Sequence, residues 1–329
     1  MSRGLIFITG ATGFVGSATA IEALKAGYRL RICVRKASDT LQILLAEYGD
    51  QLEFVTVPDF TAEGAFDGQL DGVDYVLHIA SPFPQGMNKT FYFPPAVQGT
   101  LAVLKEAAKV LSVKKVVVTS SLAALIPVKG IPEGGVIRED NDWDFSVDEE
   151  ADFTDPNNPD RGPMKLYHAS KLLANAATWD FWQTSKPHYS LVVIHPASVH
   201  GYNPVQTSAE GIKTSTNNFL WKPIMEGAPA TLLIAVHIQD VAEAHVKALD
   251  PKIADGSKYL LGGKVASWKD VAHIVGKEYP QAGAKITQDV QNISIPFNTS
   301  KAETELGMQW RPLEEMVREV MDQQLEFLG

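Results

Sequence analysis

Residues 5–16 read LIFITGATGFVG, and this stretch decides how the rest of the chain is interpreted. Apolar and β-branched residues lead into Gly10, Gly13 and Gly16, and an amphipathic segment follows directly. The pattern predicts a buried strand, a tight turn and a helix. Glycine tolerates positive φ and lets a ligand approach the backbone, and the start of the helix attracts an anion. We therefore predict a turn that binds a dinucleotide pyrophosphate; the alternative is a plain strand–turn–helix corner.

Composition limits the partners and the compartment. The chain has 329 residues and a formal net charge of −10, which argues against nucleic acid or an anionic membrane surface as the main partner. Its single cysteine, Cys33, excludes an intrachain disulfide and favours a reducing, cytoplasmic location. We expect no signal peptide, because the first strand begins close to Met1. No apolar run reaches the length of a membrane span.

Strand and helix patterns alternate through the first part of the chain. Further strands are predicted at 29–34, 52–57, 73–80 and 115–119, with helices at 37–48 and 91–111. Several of the strands are continuous apolar runs, which is typical of a parallel sheet covered by helices on both faces. The sequence therefore predicts an α/β protein with a doubly wound parallel sheet of the Rossmann type.

The regular alternation breaks after the fifth strand. Residues 127–163 and 201–229 are predicted to be irregular, and the segments between and after them are predicted as a helix at 164–185, a strand at 190–195, a strand at 230–238 and a helix at 239–249. We expect a Rossmann domain at 1–200 that also takes in about 230–250. A smaller α/β substrate-binding lobe at 201–229 and 251–329 would lie at the carboxyl ends of the strands.

The end of the second strand indicates which dinucleotide binds. NAD-binding sheets carry an acidic residue about twenty positions after the glycines. Here Arg35 and Lys36 occupy that position, and two cations suit a 2′-phosphate. We therefore expect NADPH/NADP+; the alternative is that both residues are merely solvated. Asp59 and Phe60, after the third strand, are placed to meet the adenine, although Asp59 would equally suit a turn.

Two later segments carry residues suited to proton transfer. Tyr167 and Lys171 are four residues apart in a predicted helix and therefore share a face. A nearby ammonium lowers the pKa of a phenol, so that tyrosine can exchange a proton with a carbonyl or alcohol oxygen. The fifth strand ends in Thr119, Ser120 and Ser121, and a strand-end serine can hold the same oxygen by a hydrogen bond.

Together these motifs resemble the extended short-chain dehydrogenases/reductases. Within them, the chain is most similar to the dihydroflavonol-reductase-like group, which includes fungal and yeast carbonyl, aldehyde and methylglyoxal reductases. The motifs behind this resemblance are GATGFVG at 10–16, HIASPF at 78–83, PAVQGT at 95–100, VVTSS at 117–121, YHASK at 167–171, HPASV at 195–199 and VHIQDVA at 236–242.

The resemblance implies that NADPH reduces a ketone or aldehyde to an alcohol by hydride transfer. It implies that Tyr167 is the proton donor, that Ser121 rather than Ser120 holds the carbonyl, and that Lys171 tunes Tyr167 and holds the nicotinamide ribose. The full set expected to bind the cofactor is Gly10, Thr12, Gly13, Phe14, Val15, Gly16, Arg35, Lys36, Asp59, Phe60, Ala80, Ser81, Pro82, Thr119, Pro196, Ser198, Val199 and Ser215.

Substrate recognition and two rival functions are less clearly indicated by the sequence. Apolar loop residues expected near the strand ends, and therefore near the substrate, are Phe83, Leu122, Tyr202 and Trp221, with Phe91, Trp143, Phe153 and Phe219 as further candidates. No spacing suggests a metal site.

The sequence leaves two rival functions open. One rival is an NAD-dependent nucleotide-sugar epimerase or dehydratase, and the other is a non-catalytic NADP-binding sensor. We expect a monomer or a homodimer.

Overall fold

Seven parallel strands form the main sheet of the computed structural model, which describes residues 3–156, 158, 161–227, 233–289 and 295–329. In chain order the strands of this sheet are β1 (Leu5–Thr9), β2 (Arg29–Val34), β3 (Leu52–Thr56), β4 (Tyr75–His78), β5 (Lys115–Thr119), β6 (Ser190–Pro196) and β9 (Ser257–Leu261). Their order across the sheet is β3-β2-β1-β4-β5-β6-β9. Two short strands, β7 (Ser198–His200) and β8 (Ala235–His237), pair separately in parallel. The structure confirms the doubly wound α/β class.

Helices cover both faces of this sheet. They are α1 (Phe14–Lys25), α2 (Asp39–Leu44), α3 (Phe93–Lys109), α4 (Gly162–Ser185), α5 (Asn218–Glu226), α6 (Ile238–Lys247), α7 (Trp268–Glu278), α8 (Ser300–Glu305) and α9 (Leu313–Leu328). Alternation along β1 sends Ile6 and Ile8 into the core under α1 and α6, and Leu5 and Phe7 into the core under α3 and α4. The order of strands reverses between β1 and β4, and ligands bind at such a switch point.

Several predicted elements differ from the structure. The segment 201–229, expected to be irregular, contains a 3₁₀ turn at Ala209–Thr214 and helix α5. Pro223 inside α5 made this segment look like a loop. The strand expected at 230–238 is limited to Ala235–His237 within the described residues, and 230–232 lie outside them.

Strand β9 corrects one assignment to the substrate lobe. The prediction placed 251–329 in that lobe, whereas β9 pairs with β6 at the edge of the main sheet. The short apolar run SKYLL follows a turn and carries too few residues to show a period. The division of the rest of the chain into two lobes stays a prediction.

The glycine turn is closely packed at two positions. Gly10 has a φ of +81°, and a Cβ there would lie 2.6 Å from the Ala80 nitrogen. A Cβ on Gly16, in the first turns of α1, would lie 2.1 Å from the Gly10 carbonyl oxygen. The helix can approach β1 this closely because Gly16 has no side chain.

Gly16→Ala is therefore expected to lower the free energy of unfolding by about 1–3 kcal/mol or more, since the added methyl has no room. Denaturant titration measures the loss. Gly276→Ala is the matched control in helix α7, where a Cβ would have no neighbour within 4 Å. The control should be neutral or stabilising by up to about 1 kcal/mol. Equal stability of the two variants would contradict the packing argument.

Candidate active site

The start of α1 offers an open anion-binding surface. Thr12 and Gly13 are exposed at the turn. Gly13 is the N-cap of α1 without a side-chain capping bond, and the first turn of this helix contains no acidic residue. A Cβ on Gly13 would meet only the Gly10 carbonyl oxygen, at 3.4 Å. Because N-terminal N–H groups and the helix dipole attract anions, this surface fits the pyrophosphate of a dinucleotide.

Two cations lie next to this turn. Arg35 and Lys36 follow β2 directly, and both are exposed. Neither side chain takes part in an ion pair within the described part of the chain. Both charges are thus available to a phosphate, and their contact with the cofactor stays a prediction.

The two residues predicted to meet the adenine have partners within the protein. The Asp59 carboxylate accepts hydrogen bonds from the Thr61 N–H at 2.8 Å and from its hydroxyl at 2.7 Å. These bonds lower the pKa of Asp59. The Phe60 ring packs edge-on against Phe66 at 4.9 Å. Asp59 therefore forms a turn, and contact of either residue with the adenine stays a prediction.

The structure brings the three predicted catalytic side chains together. Ser121 follows the carboxyl end of β5, and Tyr167 and Lys171 lie on α4. The Ser121 side chain lies close enough to Tyr167 to lower the pKa of its phenol, and its Oγ accepts the Ala123 N–H at 3.1 Å. The Lys171 Nζ lies 5.8 Å from the centroid of the Tyr167 ring, and it donates to the carbonyl oxygens of Thr119 and Ser120, each at 3.4 Å.

Burial dominates the electrostatics of this group. Desolvation raises the pKa of Tyr167, and the hydrogen bond with Ser121 opposes that rise. The pKa of Tyr167 is therefore raised, whereas the Lys171 ammonium was expected to lower it, because desolvation outweighs the other contributions. Burial also lowers the pKa of Lys171 to about 8. Near neutral pH the tyrosine therefore carries its proton, and the lysine is mostly charged.

Two histidines hold the strand that carries Ser121, and the sequence did not reveal this role. The Nδ1 of His195 donates to the Ser121 carbonyl at 3.2 Å. The Nδ1 of His245, on α6, donates to the Val241 carbonyl, so its Nε2 accepts the Thr119 hydroxyl at 2.7 Å. Thr119 was expected to bind the cofactor, yet its side chain faces α6 and only its carbonyl contacts Lys171.

The residues predicted along the cofactor ribose and nicotinamide fall into two groups. Ala80 and Ser81 line a cavity together with Lys171, and their contact with the ribose stays a prediction. Pro82 follows β4, Pro196 is the last residue of β6, and Ser198 and Val199 belong to β7. Their contacts with a cofactor stay predictions.

Ser215 was expected to touch the adenosine phosphate. It is 2% exposed, and its hydroxyl donates to the Ile212 carbonyl at 3.1 Å. This bond closes the preceding 3₁₀ turn. The phosphate contact therefore has no support from the geometry and stays a prediction.

The predicted substrate residues have different surroundings. Phe83 stacks on Phe219 of α5, with ring centroids 6.2 Å apart and planes 11° apart. Leu122 is buried directly after Ser121, whereas Tyr202 is 53% exposed. Trp221 packs against the hydrophobic cluster of α5, α7 and α9. Phe83 and Phe219 thus join the loop after β4 to α5, and Trp221 is also a packing residue.

The last helix supports the loop that carries Tyr202. Glu319 accepts the Tyr202 N–H at 2.6 Å. The Gln323 side chain accepts from the Asn203 N–H at 2.9 Å and donates to the Asn203 carbonyl at 2.8 Å. Gln324 accepts from the Gln206 side chain at 2.8 Å. The loop at 202–206 is therefore fixed by side chains of α9.

A histidine and two carboxylates also meet beside α9. One ligand atom each of His237, Glu315 and Glu319 lies within 4.8 Å of the others. The Nδ1 of His237 accepts from the Gln239 N–H, so the Nε2 carries the ring proton, and it lies 3.1 Å from Glu319. A protonated Nε2 has no lone pair for a metal. The group thus brings the His237 ring against the Glu319 carboxylate, a polar contact between β8 and α9.

Comparison with known proteins identifies the family. The NAD dependent epimerase/dehydratase family matches residues 6–262, and the chain belongs to this family of extended short-chain dehydrogenases/reductases. Ketoreductase sphI of Aspergillus fumigatus is 61% identical over 330 residues and covers 99% of this chain and 99% of its own length. Ketoreductase CTB6 of Cercospora beticola is 29% identical and covers 99% of this chain and 96% of its own length.

A solved structure agrees with these relatives. Gre2 from Candida albicans, in complex with NADPH, has a TM-score of 0.84 and 25% identity, and the match covers 99% of this chain and 100% of that one. The chain is therefore an oxidoreductase of the reductase type with a nicotinamide cofactor and a small-molecule substrate. Among the described residues, no helix is long and apolar enough to cross a membrane.

Proposed function

We propose that the protein is an NADPH-dependent carbonyl reductase that converts a ketone, or an aldehyde, to an alcohol. The observation that carries this proposal is the grouping of the Ser121, Tyr167 and Lys171 side chains. An open glycine turn after β1 and two exposed cations after β2 accompany this group. The ketoreductases among its relatives support a ketone as the substrate. The NADPH bound by Gre2 supports the choice of cofactor.

The three side chains have separate roles in this reaction. The nicotinamide of the bound cofactor supplies the hydride. Tyr167 donates its phenolic proton to the oxygen of the carbonyl, and its raised pKa keeps that proton in place at neutral pH. Ser121 donates a hydrogen bond to the same oxygen. The Lys171 ammonium stabilises the tyrosinate that remains after proton transfer.

The residues that would hold the cofactor follow from the same geometry. The Gly13 N–H donates to the Gly10 carbonyl at 3.0 Å, so the N–H groups that would bind the pyrophosphate are those that follow it at the start of α1. Arg35 would bind the 2′-phosphate through its guanidinium, and Lys36 would add a point charge. Ser81 and Lys171, which line the same cavity, would hold the ribose.

Steady-state assays test the proposal. The purified protein is mixed with NADPH and a panel of ketones and aldehydes, and the loss of NADPH absorbance is followed by chiral analysis of the alcohol. We expect turnover with NADPH and little with NADH. Copurified NAD together with isomerised nucleotide sugar would instead indicate an epimerase. NADPH binding without turnover on any carbonyl would indicate a sensor.

The compartment and the oligomeric state follow as further proposals. Burial raises the pKa of the Cys33 thiol to about 12, so this thiol is unreactive. A single unreactive thiol fits the reducing cytoplasm. Sedimentation analysis would distinguish a monomer from a homodimer.

A further inference from the structure

A small cavity lies beside Lys171. Its volume is about 20 Å³, enough for one water molecule. The cavity extends from the ends of β4 and β5 to the facing sides of α3 and α4. Its lining consists of Ala80, Ser81, Ala96, Thr100, Val118, Thr119, Ser120, Lys171, Ala174, Asn175, Thr178 and Val193.

Asn175 brings an unsatisfied polar atom to this cavity. It follows Lys171 by four residues on α4, so both side chains share one face of the helix. Its Oδ1 is buried and has no hydrogen-bond partner among the residues that the structure describes. Buried carbonyl oxygens are nearly always hydrogen-bonded, by protein or by ordered water.

Lys171 has donor capacity left for such a partner. An ammonium has three N–H donors, and two of them make long contacts of 3.4 Å with the carbonyls of Thr119 and Ser120. Two of the five hydroxyls that line the cavity, those on the helices, donate elsewhere: Thr100 to the Ala96 carbonyl and Thr178 to the Ala174 carbonyl, each at 2.7 Å. One water can accept from Lys171 and donate to Asn175.

The other titratable groups that face Lys171 do not supply a counter-charge. His78 of β4 and His195 of β6 are buried, and desolvation lowers the pKa of each to about 3, so both are neutral. Tyr167 of α4 carries its proton at neutral pH. The charge of Lys171 therefore depends on neutral hydrogen-bond acceptors.

We propose that Asn175 is a positioning residue for Lys171, and that its side-chain carbonyl and the ammonium hold one water between them in this cavity. The arrangement keeps Lys171 charged and directed towards the proton donor. The inference rests on the proposed function, since it takes Lys171 as a member of the catalytic group.

Two variants at position 175 test this role by moving the pKa of Lys171 in opposite directions. Asn175→Leu removes the acceptor and expels the water, so the pKa of Lys171 should fall by about one unit. Asn175→Asp adds a negative charge, so the pKa should rise by about one unit or more. Ala176→Asp places the same carboxylate on an exposed position of α4 and should cause no shift.

The main measurement needs no turnover. Competitive acetylation of the cofactor-free protein across a pH series, read by mass spectrometry of the Lys171 peptide, gives the pKa of that amine. The same shifts should appear in the alkaline limb of the pH profile of kcat/KM, because the lysine loses its charge as the pH rises through its pKa. A crystal structure would show the water directly.

Opposite shifts for the two variants, with none for the control, would support the proposal. Shifts in the same direction, or unchanged labelling in both variants, would overturn it. If no carbonyl compound is reduced while the labelling shifts appear, the proposed function fails and the pairing of Asn175 with Lys171 stands. Thermal melting of each variant identifies any that misfold. If one variant misfolds, the direction of the Lys171 pKa shift in the other decides whether the proposal holds.

Discussion

Tyr167→Phe is expected to lower kcat by about 10²- to 10⁴-fold, the usual contribution of a positioned general acid. Phenylalanine keeps the ring that lies beside Lys171 and removes only the phenolic hydroxyl. The affinity for NADPH, measured by fluorescence titration, should change little. The loss should therefore appear in kcat rather than in cofactor binding.

The control for this variant is Tyr279→Phe. The Tyr279 hydroxyl donates to Asp322 at 2.7 Å, between α7 and α9 and away from the three catalytic side chains. Its removal should leave kcat unchanged. If Tyr167→Phe kept most of the turnover, another group would be the proton donor and the assignment would be wrong.

Arg35→Glu is expected to lower kcat/KM for NADPH by about 10- to 100-fold while changing that for NADH little. The substitution removes a charge-assisted hydrogen bond to the 2′-phosphate and places a like charge beside it. A carboxylate at this position also suits the free ribose hydroxyls of NADH. Steady-state kinetics with each cofactor at saturating ketone measure the ratio of kcat/KM for NADPH to kcat/KM for NADH.

Lys25→Glu makes a comparable charge reversal at the far end of α1, one helix from the glycine turn. It should leave the ratio of the two cofactors unchanged, which separates a local contact from a general change in surface charge. An unchanged ratio in Arg35→Glu would show that the cations after β2 do not select the cofactor.

Local patterns were sufficient to predict the first half of the fold. The apolar run at β1 and the glycines after it form one continuous signal. Tyr167 and Lys171 are four residues apart on α4, so helix geometry alone places them on one face. The parallel, doubly wound sheet followed from the alternation of strands and helices, whereas the order of its strands was not predicted. In contrast, β9 and α5 carry weak or contradictory signals, and only their packing in the structure makes them regular.

The supports of the candidate site could not be predicted in the same way. Thr119 and His245 are 126 residues apart, and nothing in either segment indicates that they meet. The direction of the Tyr167 pKa also depends on burial, which is a property of the folded chain. Sequence therefore indicates which residues have the right chemistry, whereas the fold determines their protonation and orientation.

Glu319, Gln323 and Gln324 accept hydrogen bonds from the loop at 202–206, so the stabilities of helix α9 and of that loop are linked. Coupling of this kind is reciprocal. A substrate that orders Tyr202 should slow amide hydrogen exchange near the end of the chain, although it would not touch those residues. A bulky tag fused after Gly329 would have the opposite effect, because a disturbed α9 would lower the affinity for the substrate.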